Sequence, residues 1–515
     1  MTSAQNSPSA SGADPTATRR QPWRPERWGL VLAVSTIAVI GWRNLPPGVC
    51  LDDPGDLQTA AATLGIAHPP GYIGYAAVGW VLCHVLPFVE PAYVVSLMCL
   101  ACMTVALSLL AVLLTRAGLH VVLAAAMALA LLSHRYVWQS LVLPEVYAPT
   151  LAGLLGSAFM LLRYAKTQRM RDLCIATGLF GFVVINRPPV VLMLPGFLVA
   201  WVVIERRFGT RLKTGLRRFL VGAVSGLVPV VACVTLLIVR DTPSAPYNYL
   251  IEYDDGREVL VKLDGSLHAK LERAAWILTS VQYRDKLGAD FGQIRSKWRY
   301  IRRQLHVYEW PRFACAVLLL AAGTWYLGRK SPESALVAWG IIVGNLAFVL
   351  HYQVHGQAAD TLPTVFASAW LGGAALARIV PHAGTRLRIV AWLRTAVAAP
   401  VFLIAVVWTI YHSETRYDYA AHRDATAYMT RIDFASLPRD SVVFADWQKS
   451  RPLWYARSVV FDRRDVRIVT TRGGFEAKLW DEVKDRPVFC TSERGAPDGW
   501  HFLRQGEFWR LVRHD

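Results

Sequence analysis

Apolar runs of about 13 to 23 residues recur along most of the chain, many of them long enough to cross a bilayer as a helix. They fall near 28–42, 92–114, 119–133, 146–162, 173–185, 189–204, 219–239, 313–327, 334–350, 362–379 and 389–411. This pattern predicts an α-helical polytopic membrane protein with about eleven transmembrane helices. Residues 72–87 read instead as an amphipathic or re-entrant stretch. The short loops between runs predict the orientation. Arg163, Lys166, Arg169 and Arg171 share one loop, and Arg206, Arg207, Arg211, Lys213, Arg217 and Arg218 share another. Arg329 with Lys330, and Arg378, Arg386 and Arg388, mark two more. All fall on the side that holds the N-terminus, which the positive-inside rule makes cytoplasmic. The loop 351–360 has no Lys or Arg and falls on the opposite side. An odd number of spans then places the C-terminal region outside, with the large loops 43–91 and 241–310.

Three parts follow. Residues 1–27 are polar and basic and read as a disordered cytoplasmic tail, not a cleaved signal, because too many polar residues precede the first apolar run. Residues 28–412 form the membrane domain. Residues 413–515 read as a small external α/β domain, with strands predicted at 441–445, 466–470, 487–490 and 508–512 and helices at 452–459 and 475–483.

Composition agrees with a membrane protein: 54% of the 515 residues are hydrophobic, only 18% are charged, and mean hydropathy is +0.31. The net charge of +18 does not point to nucleic acid, because the basic residues cluster in short loops. Of eight cysteines, six fall in apolar segments and read as small packing residues. Cys50 and Cys490 lie outside the apolar runs, and spacing leaves a bridge between them open. No zinc spacing and no internal repeat is visible, so the inverted repeat of many transporters is missing.

The most unusual polar segment is 51–72. Asp52, Asp53 and Asp56 stand close after an apolar run, where acids need a partner or a use. One reading is local: Asp53 caps a helix with Pro54 in its first position and Asp56 in its first turn. That helix runs through Thr63 and ends at Gly65, and His68-Pro69-Pro70-Gly71 makes a stiff turn after it. The other reading is catalytic, and the two do not exclude each other. His68 serves either as a structural histidine or as a donor to a phosphate or a metal ligand. Glu145, in Leu143-Pro144-Glu145-Val146-Tyr147, either meets the dipole of the helix it begins or stands as a buried acid facing Asp53. Arg187, in Asn186-Arg187-Pro188-Pro189, either snorkels at the membrane boundary or binds a phosphate with its guanidinium. Arg284 is a weaker candidate of the same kind.

Asp53-Pro54-Gly55-Asp56, the alanine-rich helix, Leu64-Gly65-Ile66-Ala67 and His68-Pro69-Pro70-Gly71-Tyr72 resemble the first external loop of a GT-C family. That family contains the transmembrane protein O-mannosyltransferases and their bacterial relatives, with the pattern Asp-Ser-Gly-Glu, a short helix, then Leu-Gly-x-x-His-Pro-Pro-Gly. Trp138 with Glu145-Val146-Tyr147, Asn186-Arg187, the run from Trp276 to Arg284, and Asp446 with Pro452-Leu453-Trp454-Tyr455 and Arg464-Asp465-Val466 resemble further family segments. The resemblance implies a membrane glycosyltransferase that moves a sugar from a polyprenyl-phosphate donor to a hydroxyl of a protein, glycan or lipid on the external face. It implies Asp53 as the base of an inverting transfer and Asp56 as a second acid. Asp52 and Glu145 remain further catalytic candidates. His68, Arg187, Asn186, Trp138, Tyr147 and Arg284 are then substrate-binding candidates. No cofactor is required by the pattern; a divalent metal is left open. The implied place is a bacterial cytoplasmic membrane, with the C-terminal domain periplasmic. Proline replaces the family's serine, Asp56 its glutamate and Asp52 an aromatic residue, so the division of labour among the acids stays open. His351, His355 and Asp360 line the loop where GT-C enzymes hold a lipid phosphate, but the family's usual aspartate falls at Gly356 and its role is not carried over. A lipid or polysaccharide transporter is the competing reading; it expects ionisable residues within the spans, not in loops.

Overall fold

The computed structural model describes residues 26–252, 265–304, 309–354, 358–379, 400–408, 411, 420–471, 475 and 479–513. The apolar runs and the loops between them fold as helices: α1 (Glu26–Arg43), α2 (Asp52–Thr63), α3 (Ile73–Val85), α4 (Pro91–Ala117), α5 (Val121–Ala130), α6 (Arg135–Val142), α7 (Tyr147–Thr167), α8 (Met170–Asn186), α9 (Leu194–Arg207) and α10 (Leu212–Arg240). Further along come Trp310–Lys330, Pro332–His351 and Leu362–Ile379. The chain is a multi-pass integral membrane protein. Among the described residues, five helices are long and apolar enough to cross a membrane, or six if α5 and α6, bent by 87° at their junction, count as one.

That number is below the eleven predicted from the apolar runs. Several predicted spans fall on helices that are short or less apolar, such as α8 with 17 residues. α7 packs between α4 and α8 and buries much of its surface there, so protein replaces lipid around it and fewer apolar positions suffice. Residues 389–399 and 409–410 of the last predicted span lie outside the described residues, as do His355 and residues 1–25. The stretch 72–87 is the 13-residue helix α3, too short to span.

Side-chain contacts define the two ends of the bundle. At one end, Lys330 Nζ donates to the Ala117 carbonyl at 2.9 Å, Arg163 pairs with Asp172 at 3.3 Å, and Arg218 pairs with Glu205 at 2.9 Å. This end gathers the basic loops. At the other end, Gln58 Nε2 donates to the Ala92 carbonyl at 2.9 Å and Arg187 pairs with Asp360.

The C-terminal domain has five strands, β1 (Val442–Ala445), β2 (Arg467–Thr470), β3 (Val488–Cys490), β4 (Trp500–Gln505) and β5 (Phe508–Arg513), in the order β2-β1-β3-β5-β4. β1 runs parallel to both neighbours, with Val442 opposite Arg467 and Val488. All four of its residues are buried, as a central parallel strand requires. β4, which the apolar pattern did not predict, is an edge strand pairing antiparallel with β5; its residues are largely exposed, so no strong alternation marks it. The helix predicted at 452–459 begins earlier, at Trp447, because Asp446 caps it by accepting from the Lys449 N–H at 3.0 Å. Of the helix predicted at 475–483, the described part is Trp480–Val483. Cys50 and Cys490 are free.

The domain is docked on the acid-rich loop. The helix Trp447–Tyr455 lies along α2, Tyr455 donates its hydroxyl to Glu90 and accepts from the Ala92 N–H at 3.2 Å, and Ser458 Oγ donates to the Pro246 carbonyl at 2.9 Å. Gly55 permits this approach: a Cβ there would collide with the Cys50 carbonyl and come within 2.9 Å of Arg451 Cβ. Gly55→Ala should therefore force α2 away from the Trp447–Tyr455 helix and cost about 1–3 kcal/mol of stability, as overpacking does. Thermal unfolding in detergent measures it; an unchanged midpoint would show that the two helices are not held in close contact.

Candidate active site

α2 begins at Asp52, with Leu51 as N-cap and no side-chain capping bond. Asp53 is therefore not the cap, and neither is Asp52; both stand in the first turn. The helix ends at Thr63 as its sequence predicts, with Leu64, not Gly65, in the left-handed conformation. Gly65 serves a close approach to the Tyr247 carbonyl. Asp52 (φ 62°), Leu64 (φ 50°) and Tyr72 (φ 42°) are all left-handed without being glycine, at about 1–3 kcal/mol each. Such strain persists only where surrounding contacts over-determine the backbone.

Asp56 ties this loop to the rest of the molecule. It is 0% exposed. Its Oδ2 accepts from the His68 backbone N–H at 3.0 Å and lies 2.6 Å from His68 Nδ1. Its Oδ1 accepts from the Tyr247 hydroxyl and lies 3.5 Å from Arg451 Nη1. Burial pushes its carboxyl up, but the charge and hydrogen bond of His68, with Arg451 and Tyr247, outweigh that and hold it at about 2. Asp56 was expected to be a second catalytic acid. Buried, with both oxygens engaged, it has no face to offer a substrate.

The bond to Asp56 orients the His68 ring so that Nε2 points towards Asp53, 3.8 Å from Oδ2. Burial pulls the imidazole down, and the carboxylates of Asp53 and Asp56 more than reverse this, raising it to about 8. The ring packs edge-on against Tyr72 at 5.1 Å and Trp447 at 6.1 Å. Asp53 is the open acid of the three: its side chain is 39% exposed and its Oδ1 accepts from Trp447 Nε1 at 3.1 Å. Asp52 is half-buried beside it, its carboxyl raised by burial and then by the Asp53 charge.

A second group faces this one. Glu145 lies in the turn between α6 and α7, where burial and then the charge of Asp53 push its carboxyl up to about 8. Arg187 ends α8 ahead of the two prolines. It is buried, pairs through Nη2 with Asp360, and lies 4.7 Å over the Tyr147 ring. Its Nη1 is buried with no hydrogen-bond partner. Asn345 fixes Asp360 by donating to its carbonyl at 2.9 Å. Tyr72 stands between the groups, within electrostatic reach of Asp53, Arg187, Asp360 and Glu145.

The other candidates are placed differently. Asn186 accepts from the Tyr75 N–H at 2.7 Å and donates to the Phe182 carbonyl at 2.7 Å, so its amide holds α3 against α8. Trp138 is not in an open loop but packed in α6 at 1% exposure. Arg284 is exposed, while its neighbour Tyr283 lies within reach of the Asp53 charge. His351 is exposed, its Nδ1 2.8 Å from the Ala347 carbonyl. Asp360, which sequence left without a role, is the partner of Arg187. Trp447, Arg451 and Tyr247 were missed as site residues, although Trp447 follows Asp446 and Arg451 precedes Pro452-Leu453-Trp454-Tyr455. Among the described residues, no three His, Cys, Asp or Glu side chains are arranged to hold a metal ion; Asp53 and His68 lack a third ligand.

Residues 53–210 match the family described as the Protein O-mannosyl-transferase TMEM260 N-terminal domain. Protein O-mannosyl-transferase TMEM260 from Mus musculus is 32% identical over 179 residues, which is 33% of this chain and 25% of the mouse protein. The chain thus matches about a quarter of the length of that relative. Over nearly the whole chain the fold resembles ArnT from Cupriavidus metallidurans in its complex with undecaprenyl phosphate. The TM-score is 0.52 at 12% identity, covering 96% of this chain and 99% of ArnT. Over residues 53–210 the chain is similar in sequence to the TMEM260 O-mannosyl-transferases, and over its length its fold, helical with a small C-terminal sheet domain, is similar to that of ArnT.

Proposed function

We propose that the protein is a membrane glycosyltransferase that moves a sugar from a polyprenyl phosphate to a hydroxyl acceptor, with inversion, on the external face. The observation that carries this reading is the pairing of one open carboxylate, Asp53, with a buried arginine, Arg187, that keeps an unmet donor. The family match at the acid loop and the polyprenyl phosphate held by the ArnT fold support the same class of donor. The concentration of basic loops at the opposite end supports an external site. Relay acids within the spans, which a transporter expects, are not what this site offers.

In the proposed reaction, Asp53 takes the proton of the acceptor hydroxyl as that oxygen bonds to the anomeric carbon. The bond from that carbon to the phosphate oxygen breaks, its electron pair stays with the phosphate, and Arg187 Nη1 meets the charge. Trp447 holds one Asp53 oxygen, and His68 faces the other. Asp56 is a positioning residue that acts through His68. Asp52 and Glu145, both raised by burial, lie within reach of the Asp53 charge. The acceptor is a protein, glycan or lipid hydroxyl, and no cofactor beyond the lipid-linked sugar enters the scheme.

Purified protein given a panel of polyprenyl-phosphate sugars should consume one of them; consumption of none would overturn the assignment. Asp53→Asn keeps an acceptor for Trp447 and should fold normally yet lose on the order of a hundredfold or more in transfer. Near-wild-type transfer would remove Asp53 from the role of base. Asp56→Asn should instead lower stability by about 3–5 kcal/mol, because it leaves Arg451 buried without its counter-charge.

Arg187→Lys keeps the ion pair with Asp360 but loses the forked donor set. It should raise the apparent KM for donor about tenfold or more with a smaller change in kcat, as for a contact made already in the ground state. Unchanged KM would place the phosphate elsewhere.

Stability should fall as pH rises from about 6.5 to about 8. The folded state holds a proton on His68 that the unfolded chain, with an ordinary value of 6.5, gives up first. Glu145, raised from 4.5 to about 8, adds a fall of the same sign over a wider window. Melting temperature against pH should therefore slope less in His68→Gln and least in His68→Gln with Glu145→Gln. A slope untouched by both would show that neither group is held in its charged or protonated form by the fold.

A further inference from the structure

A second polar cavity lies at the end of the bundle away from the acid loop. The last turns of α4, α7 and α9 meet there with the junction between Trp310–Lys330 and Pro332–His351, around a volume of about 460 Å³. That is within the range of small-ligand clefts, roughly 300–1,000 Å³. Four cationic side chains line it, Arg116, Lys166, Arg207 and Lys330, against a single carboxylate, Glu333.

Glu333 sets the chemistry. It is 6% exposed. Its Oε1 accepts from Ser331 Oγ at 2.7 Å and lies 4.0 Å from Arg207 Nη1. Its Oε2 is sealed from solvent with no hydrogen-bond partner. A buried carboxylate oxygen in that state is costly unless a donor reaches it. The cations have capacity of the opposite kind. Lys330 gives hydrogen bonds to the Ala117 carbonyl at 2.9 Å and the Tyr326 hydroxyl at 3.2 Å, which leaves one N–H. Arg116 lays its guanidinium over the Phe159 ring at 3.9 Å and keeps its edge N–H groups for the cavity. Lys166 is exposed at the mouth.

A simple anion would satisfy the cations and leave Glu333 Oε2 unmet. A simple cation would satisfy Glu333 and face four like charges. One small group answers both: a phosphate joined by a short link to a primary ammonium. The cavity sits at the ends of membrane-length helices, and Leu113, Leu162, Leu327 and Trp370 form its apolar walls. That is the level at which phospholipid headgroups meet a bundle and basic clefts take them up.

We propose that this cavity binds the headgroup of an aminophospholipid, its phosphate on Arg116, Lys166 and Lys330 and its ammonium donating to Glu333 Oε2. The lipid then ties the ends of α4, α7 and α9 to the helix pair beginning at Trp310 and Pro332. The site is independent of sugar transfer.

The test uses the full-length protein, delipidated in detergent and then exposed to vesicles of phosphatidylethanolamine, phosphatidylcholine or phosphatidylglycerol. Retained lipid is counted by native mass spectrometry and stability by thermal unfolding. Phosphatidylethanolamine should be retained at least tenfold better than phosphatidylcholine, which has no ammonium N–H, and phosphatidylglycerol, which has no ammonium. It should also raise the melting temperature by several degrees. Glu333→Gln should abolish the tenfold preference over phosphatidylglycerol, and Arg116→Gln should weaken retention of all three lipids. Equal retention of the three by the wild-type protein overturns the proposal without recourse to any variant. So does a Glu333→Gln protein that keeps the preference. Protection by free phosphoethanolamine in detergent, with none from vesicles, would overturn the lipid source in favour of a soluble phosphomonoester.

Discussion

A carboxylate sealed from water is tolerable only if its charge is met on every side, and Asp56 is met from three separate stretches of chain. His68 lies 12 residues away, Tyr247 191 residues away, and Arg451 comes from the C-terminal domain. Removing one partner of such a buried pair typically costs about 3–5 kcal/mol. The short helix α2, the His-Pro-Pro-Gly turn, the segment before Tyr249 and the soluble domain are thus placed relative to one another by one side chain. Arg451 shows how tightly. Its guanidinium lies against the rings of Trp447 and Trp454, at 3.2 and 4.0 Å, makes no hydrogen bond of its own, and has Asp56 as its counter-charge at 3.5 Å. The cation is held by aromatic faces and by that one acid.

From that constraint the three acids acquire different characters. They share one helix start and one residue type, so sequence cannot separate them. Asp56 meets two hydrogen-bonding donors from His68, a phenol and a guanidinium. Asp52 meets burial and a neighbouring negative charge, and Asp53 meets an indole N–H and open space. The same carboxyl group becomes an anchor, a neighbour whose proton affinity is raised, and an accessible oxygen according to how much water and how many donors each one meets.

What the chain discloses before folding follows the same division. The apolar runs, the end of α2 at Thr63 and the strands β1 and β2 are legible because they depend on local pattern: hydrophobic length, a stop before Gly65, a run such as Val442-Val443-Phe444-Ala445. The acid loop and His68 are legible as a motif. The partners are not. Nothing near Arg451 in sequence announces Asp56, 395 positions earlier, and nothing near Arg187 announces Asp360. The 87° turn between α5 and α6 is equally hidden, because the apolar run stops near 133 and the polar Ser133-His134-Arg135 that follows reads as a loop, not as the start of another helix. Trp138 looked like a loop residue for that reason. Edge strand β4 carries too little buried surface to leave a period in the sequence.

The two groups of the site are anchored in different parts of the molecule. Asp53 and His68 hang on α2 and, through Trp447 and Arg451, on the C-terminal domain. Arg187 and Asp360 hang on α8 and on Asn345 within the helix Pro332–His351. The space between them is spanned by Tyr72 and Glu145, whose own positions depend on α3 and on the turn into α7. The Tyr75 N–H, two residues into α3, is held by Asn186, the residue before Arg187. A displacement of the soluble domain therefore moves the acid side of the site while leaving the arginine side in place. Trp447 is the side chain through which such a displacement first reaches Asp53.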